Sequence, residues 1–365
     1  MTTLKWSDVY YKPVSVIRLV DDFDQVRIGD RQIDVAYPIS FVDRPHEVVI
    51  NQLVKSVFRI RGLTSDSCYP QLAYHAFVIT RHTSFMDGYF LITKSLSKDA
   101  HHQFHETVRK VMLHSGFEVQ LLDKHGANHI EKVPAIAYLI AGQIVELFFF
   151  QRDILDKLLQ GTIRIWLYTD QVAFNADGGA AGGCYNPQKG CVQLVVSRLF
   201  EGFNQPTPGV APFIHEFGHL LDYFDAETLK ASGTSSGWLP GMRESDGAIY
   251  TPEAREAFIK GKRMEMQLYD RQVNQPDGSE PLPIGHPYVF QNNSEFIAGY
   301  LEMFFRNPHT FAAQNPDLFD GFVHLFRQDP RTYWEADFPY YVQQNRAFYQ
   351  SGQRPRASGL KLDGG

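Results

Sequence analysis

Residues Phe213–Asp222 read FIHEFGHLLD: two histidines four residues apart, a glutamate directly after the first, and apolar residues around them. On a helix, residues i and i+4 stack on one face with Cβ atoms roughly 6 Å apart. His215 and His219 can therefore turn imidazole nitrogens toward one ion. Zinc takes neutral imidazole nitrogen at about 2.0–2.1 Å and favours tetrahedral geometry. Glu216 is rotated about 100° around the helix axis, beside such an ion rather than on it, where a carboxylate can take a proton from water that a metal activates. A packing helix with two histidines stacked by chance is the plain alternative. Phe213, Ile214, Phe217, Leu220 and Leu221 argue against it, because enclosed imidazoles without partners are costly. Gly218 sits between the histidines and gives up about 1 kcal/mol of helix propensity relative to alanine. It predicts the close approach of another element.

A catalytic zinc needs a third protein ligand and an open position for water. His286 and Glu295 are the downstream candidates. Glu295 lies in NNSEFIAGYLEMFF (292–305), a helical stretch where an acid among apolar residues demands a partner. Glu302 returns seven residues later to almost the same face and could accept a hydrogen bond from a ligating histidine. Asp222 either orients a histidine or merely continues the first helix.

The rest of the chain reads as an α+β protein in two parts. Residues 1–130 alternate short strand-like runs with turns: VRIGDRQIDVAY (26–37) as a hairpin around Gly29–Asp30, HAFVITRHTSFMDGYFLITKSL (75–96) as a second, then helical spacing from Lys98 to His114. This predicts a small α+β module of unassigned role. Residues 131–350 hold the motifs. A long apolar helix over about 131–158 leads to a strand TIRIWLYTD (162–170), a Gly-rich loop NADGGAAGGCYNPQKG (175–190), and another strand CVQLVVS (191–197). The motif helix, an exposed polar insertion (Ala231–Gly247), a helix over Pro252–Val273 and the glutamate helix up to Pro308 follow. Residues 351–365 carry too few apolar side chains to fold and are expected to be a mobile tail.

Composition excludes several classes. With 35 basic against 41 acidic residues, a net charge of −6 leaves no electrostatic footprint for nucleic acid or an anionic membrane. The most apolar run, Val133–Phe150, is interrupted by Pro134, Gln143 and Glu146 and reads as a buried helix rather than a membrane span. Three cysteines are too few for a disulfide framework. The start lacks the charged and apolar regions of a secretory signal, so a reducing cytoplasm is the expected compartment, with Cys184 and Cys191 as thiols. HHQFHE (101–106) reads as a solvated helix face. GGAAGG is no phosphate cradle and is better read as the rim of a site.

FIHEFGHLLD, followed by SEFIAGYLEMFFRNPHTFAAQNPDLFDGFVHLFRQDP (294–330), resembles the Mlc titration factor A group of zinc peptidases and is similar to the catalytic domain of anthrax lethal factor. The resemblance covers roughly Gly182 to Pro330. It implies a zincin-like domain with a mixed sheet whose edge strand, CVQLVVS (191–197), holds an extended peptide, an active-site helix and a glutamate-ligand helix. It implies one zinc per chain on His215, His219 and Glu295, and Glu216 as general base. It also implies Tyr288, seven residues before the glutamate ligand, as a donor to the developing oxyanion. The substrate would be a peptide or protein. The alternatives are a partner-binding regulatory protein that sequesters a transcription factor with weak peptidase activity, and an effector or toxin protease with one specific protein target. The chain departs from the family pattern at EFIAG, where a second aromatic is usual, and in a longer spacing from His219 to Glu295.

Overall fold

A parallel strand pair, Phe117–Leu122 against Ile163–Tyr168, ties the two expected halves of this chain into one sheet. The computed structural model describes residues 17–20, 25–28, 31–34, 90–130, 134–179, 181–201, 210–278, 281–333, 337 and 339–363. In the first of these, β1 (Ile17–Val20), β2 (Gln25–Ile28) and β3 (Arg31–Asp34) form an antiparallel sheet. The β2–β3 pair matches the hairpin read around Gly29–Asp30. The second expected hairpin lies mostly outside the described residues, and Leu91–Ser95, read as its end, is a 3-10 helix.

The chain continues through α1 (Lys98–Met112), β4 (Phe117–Leu122), α2 (Pro134–Phe148), α3 (Arg152–Gln160), β5 (Ile163–Tyr168), α4 (Gln171–Ala176), β6 (Gly183–Asn186), β7 (Cys191–Val195) and α5 (Val196–Glu201) into the motif helix α6 (Pro212–Tyr223). A short ladder of β8 (Phe224–Asp225) and β9 (Lys230–Ala231) precedes α7 (Pro252–Asn274), the glutamate helix α8 (Asn293–Arg306), α9 (Pro308–Gln314), α10 (Pro316–Phe326) and α11 (Pro339–Gln350). Helices α6, α7, α9 and α10 each open on a proline, whose missing N–H costs nothing in the first turn and whose φ is preset for a helix.

The central sheet has the order β4-β5-β7-β6, parallel except for β6. All five residues of β7 are buried, as a strand covered on both faces requires. It is therefore an interior strand. The described strand at the end beside β7 is β6, drawn from the Gly-rich loop, and this corrects the expectation that 191–197 would be the edge. The expected division near residue 130 is corrected too. Phe104, Val108 and Val111 of α1 share one core with Ile136, Ile140 and Ile144 of α2, and β4 pairs with β5 along its whole length. Hydrophobic periodicity marks a strand but not its partner, so residues 98–122 could not be seen as part of the larger domain. The helix read over 131–158 is two helices, broken between Phe148 and Arg152.

Two further expectations are overturned. The segment 231–247 is not an exposed insertion: Trp238, Leu239 and Met242 are buried in the main core. The tail is not loose. Leu360 is buried, and Tyr269 Oη donates to the Arg356 carbonyl at 2.9 Å. It docks through backbone groups, which composition does not reveal. No helix among the described residues is long and apolar enough to cross a membrane.

Candidate metal centre

Helices α6 and α8 cross at Gly218. A Cβ built there would lie 2.8 Å from the Ala298 Cα, closer than real Cβ atoms come. Glycine therefore sets how near the two helices approach, and with it how near the histidines of one come to the glutamate of the other. The close neighbour that Gly218 predicts is Ala298.

His215 Nε2 lies 3.3 Å from Glu295 Oε2, and His219 Nε2 lies 3.5 Å from the same oxygen. The two imidazoles meet edge-on, at 83°, with centroids 5.0 Å apart. Their ligand atoms and the Glu295 oxygen fall within 4.8 Å of one another, the one such group of histidine, cysteine and acid side chains found among the described residues. The donor set passes a geometric test for a metal. Ligands at about 2.05 Å around a tetrahedral ion are separated by roughly 3.3 Å along each edge, close to the two nitrogen–oxygen separations. Two imidazoles and a carboxylate are also the ligand types that zinc accepts.

Both histidines are aimed from behind. His215 Nδ1 lies 3.4 Å from Glu302 Oε2, while Glu302 Oε1 accepts from the Ala211 N–H at the start of α6. His219 Nδ1 lies 2.7 Å from Ser294 Oγ. Each Nε2 is thus left facing Glu295. Burial alone would lower the His215 pKa, but hydrogen bonds to Glu295 and Glu302 raise it to about 10. The field that favours a proton there equally favours a cation. Burial would raise Glu295, yet its bonds to His215 and His219 hold it well below the usual carboxylate range. Glu216 has no such partner. Burial, together with the charges of Glu295 and Glu302, pushes it up against the pull of the two histidines. Its carboxylate faces β6, within 3.5 Å of where a Cβ on Gly183 would stand.

Tyr288 is 45% exposed, and its hydroxyl donates to Glu295 Oε1 at 2.8 Å. Burial and the adjacent carboxylate raise its pKa, so it remains a proton donor. The turn that delivers it is clamped by buried side chains. Ile284 N–H donates to Glu265 Oε2 at 3.0 Å, and Gly285 N–H to Tyr300 Oη at 3.2 Å. The Ile284 carbonyl accepts from Asn345 Nδ2 at 3.0 Å and the Gly285 carbonyl from Tyr349 Oη at 2.7 Å. Asn292 caps α8, taking the Glu295 N–H at 2.9 Å. These groups border a cleft of about 540 Å³ with Gly183, Cys184 and Tyr185 of the edge strand on its rim.

Other candidates separate from the site. Asp222 bonds neither histidine. Its carboxylate takes the Gly237 N–H at 2.7 Å and the Ser236 hydroxyl at 3.2 Å, pinning the segment that leads to buried Trp238. His286 caps a turn by accepting the Tyr288 N–H at 3.2 Å and is not among the grouped ligands. His105 is buried against Tyr138 Oη at 2.7 Å rather than solvated. Cys184 and Cys191 are free thiols on neighbouring strands, opposite Gln193 and Asn186 respectively. Ser294 was not read from the sequence. Its only signal is adjacency to the glutamate.

An α+β domain that brings an HExxH helix against a glutamate from a second helix defines the metallopeptidase class. The family model described as glucose-regulated metallo-peptidase M90 matches residues 84–327, and the chain belongs to that family. The match begins about a hundred residues before the stretch that carried the resemblance, in line with α1 and β4 being part of the domain. No curated protein matches the chain.

Proposed function

We propose that this chain is a zinc-dependent peptidase of the gluzincin type, with His215, His219 and Glu295 as ligands. The observation that carries the reading is the pair of nitrogen–oxygen separations, 3.3 and 3.5 Å, which match the edges of a zinc tetrahedron. Zinc held there supplies Lewis acidity and lowers the pKa of a coordinated water toward neutrality. Glu302 and Ser294 hold the two imidazoles with Nε2 forward. Glu216, whose pKa burial raises, takes a proton from the attacking water and returns it to the leaving amine nitrogen. Tyr288 donates to the oxygen of the scissile carbonyl as charge develops there. β6, a terminal strand of the sheet among the described residues, offers backbone groups to an extended peptide by strand addition.

The test is metal content beside turnover. Wild type should carry about one zinc per chain, and His219→Ala and Glu295→Ala should each weaken it strongly. Glu216→Gln should keep the metal and lose about 10²–10⁴-fold in peptide hydrolysis. Zinc that survives Glu295→Ala would remove the third ligand from this account.

A further inference from the structure

The cleft has one border that no ligand motif explains. Gly359 and Lys361, from the C-terminal segment, line it beside Tyr288, Asn292 and Asn293. That segment is fixed. Gly359 N–H and Ser358 Oγ both donate to the Phe290 carbonyl, at 3.0 and 3.2 Å. Lys361 N–H donates to Asn293 Oδ1 at 3.1 Å. A Cβ on Gly359 would stand 2.0 Å from the Gln291 carbonyl oxygen, so only glycine can lie this close to the turn before α8.

Its anchor is Lys262 on α7, fully buried. The Lys262 ammonium donates to Asn293 Oδ1 at 2.9 Å and to the Lys361 carbonyl at 2.6 Å. The rings of Phe258 and Phe296 stand 6.0 and 5.6 Å from it. A buried ammonium is costly unless its donors are used. Here two of the three are used, one on the segment that borders the cleft and one on the residue two before Glu295. With the segment docked, the cleft is still bordered by His215, Glu216, His219, Glu295 and Tyr288, so the segment walls the site without plugging it. Lys361 is exposed, and among the described residues lining the cleft it is the only lysine or arginine.

We propose that residues 354–361 are a fixed wall of the substrate cleft, latched by Lys262, and that Lys361 on this wall selects a carboxylate carried by the peptide substrate. Lys262 is a positioning residue and Lys361 a specificity determinant. The proposal rests on the peptidase reading above.

The experiment uses the zinc-loaded full chain carrying Glu216→Gln, so that binding is read without turnover. The probes are fluorescent extended peptides identical except for glutamate or lysine at one position, scanned along the sequence. At one position the glutamate peptide should bind roughly 2–5-fold more tightly, the range of a solvent-exposed ion pair, and Lys361→Glu should reverse that preference. Lys262→Met should raise Kd for every peptide by roughly 5–10-fold, one hydrogen bond's worth, while zinc stays at one per chain. It should also speed trypsin cutting after Arg356, where Ala357 follows. Gly359→Val, which leaves Lys262 intact, should do the same. An unchanged glutamate-to-lysine ratio in Lys361→Glu overturns the specificity role. A released segment with unchanged Kd overturns the wall, and a segment that stays protected in both variants overturns the latch. In each case the peptidase reading survives if wild type hydrolyses the peptides. If wild type cleaves none and Glu216→Gln binds none, the peptidase reading fails and takes the proposal with it.

Discussion

Replacing Gly218 by alanine sets two effects of known size against each other. In the middle of a helix the change should stabilise by about 1 kcal/mol. At this position the new methyl would stand 2.8 Å from the Ala298 Cα, a backbone atom that no rotamer change can move. Carbon atoms rest at about 3.5–4.0 Å, so α6 and α8 must separate by roughly 0.7 Å or more. Overpacking of this kind costs about 1–3 kcal/mol, which cancels or exceeds the propensity gain. The effect on the metal is sharper. Ligand distances must hold within about 0.2 Å, and His215 and His219 ride on one of the separating helices while Glu295 rides on the other. Gly218→Ala should therefore weaken zinc binding by at least about tenfold with a fall in stability of no more than about 2 kcal/mol. Competition with a chelator gives the first number and denaturant unfolding of the metal-free protein the second. A variant that is more stable than wild type and binds zinc equally well would show that the helix crossing does not set the ligand spacing.

Three further outcomes test separate parts of the site. Glu302→Gln leaves His215 Nδ1 without its carboxylate at 3.4 Å, and zinc affinity should drop about 10–100-fold; an unchanged affinity would mean that Glu302 merely caps α6 through Ala211. Tyr288→Phe removes the proposed oxyanion donor, so kcat should fall about 10²–10³-fold with little change in KM. A KM effect alone would make it a substrate-packing residue. Burial lowers the pKa of Lys262 to about 8 from its ordinary 10.5. Between pH 8 and 10.5 the unfolded chain binds a proton that the folded chain has released. Wild-type stability relative to Lys262→Met should therefore rise across that window by up to about 3 kcal/mol and stay flat below it. A difference that does not change between pH 7 and 10 would show that the amine is not desolvated in solution.

The local grammar of the site was legible before any coordinates. FIHEFGHLLD announces a helix with two stacked imidazoles and a carboxylate beside them, because i, i+4 spacing fixes a face of a helix whatever surrounds it. The apolar setting of Glu295 and the seven-residue return to Glu302 follow from the same periodicity. Gly218 announced a neighbour but not which one. The strand patterns of 117–122 and 163–168 were readable, yet their pairing was not. Periodicity is a property of one segment, while pairing is a choice among distant segments made by the packing of the whole chain. For that reason the boundary near residue 130 and the edge assignment of 191–197 both failed. The polar look of 231–247 hid Trp238, Leu239 and Met242, and the sparse composition of 351–365 hid a segment that docks through its backbone. Lys262 carried no signal at all: a lysine in a charged helix becomes a buried anchor only when Asn293, the Lys361 carbonyl and two phenylalanine rings gather around it. The sequence alone determined which residues could bind a metal, since that depends on side-chain type and spacing along one helix. Only the tertiary structure decided where Glu295 stands relative to the two histidines, which strand lies at the end of the sheet and what borders the cleft, because those depend on distances between elements far apart in the chain.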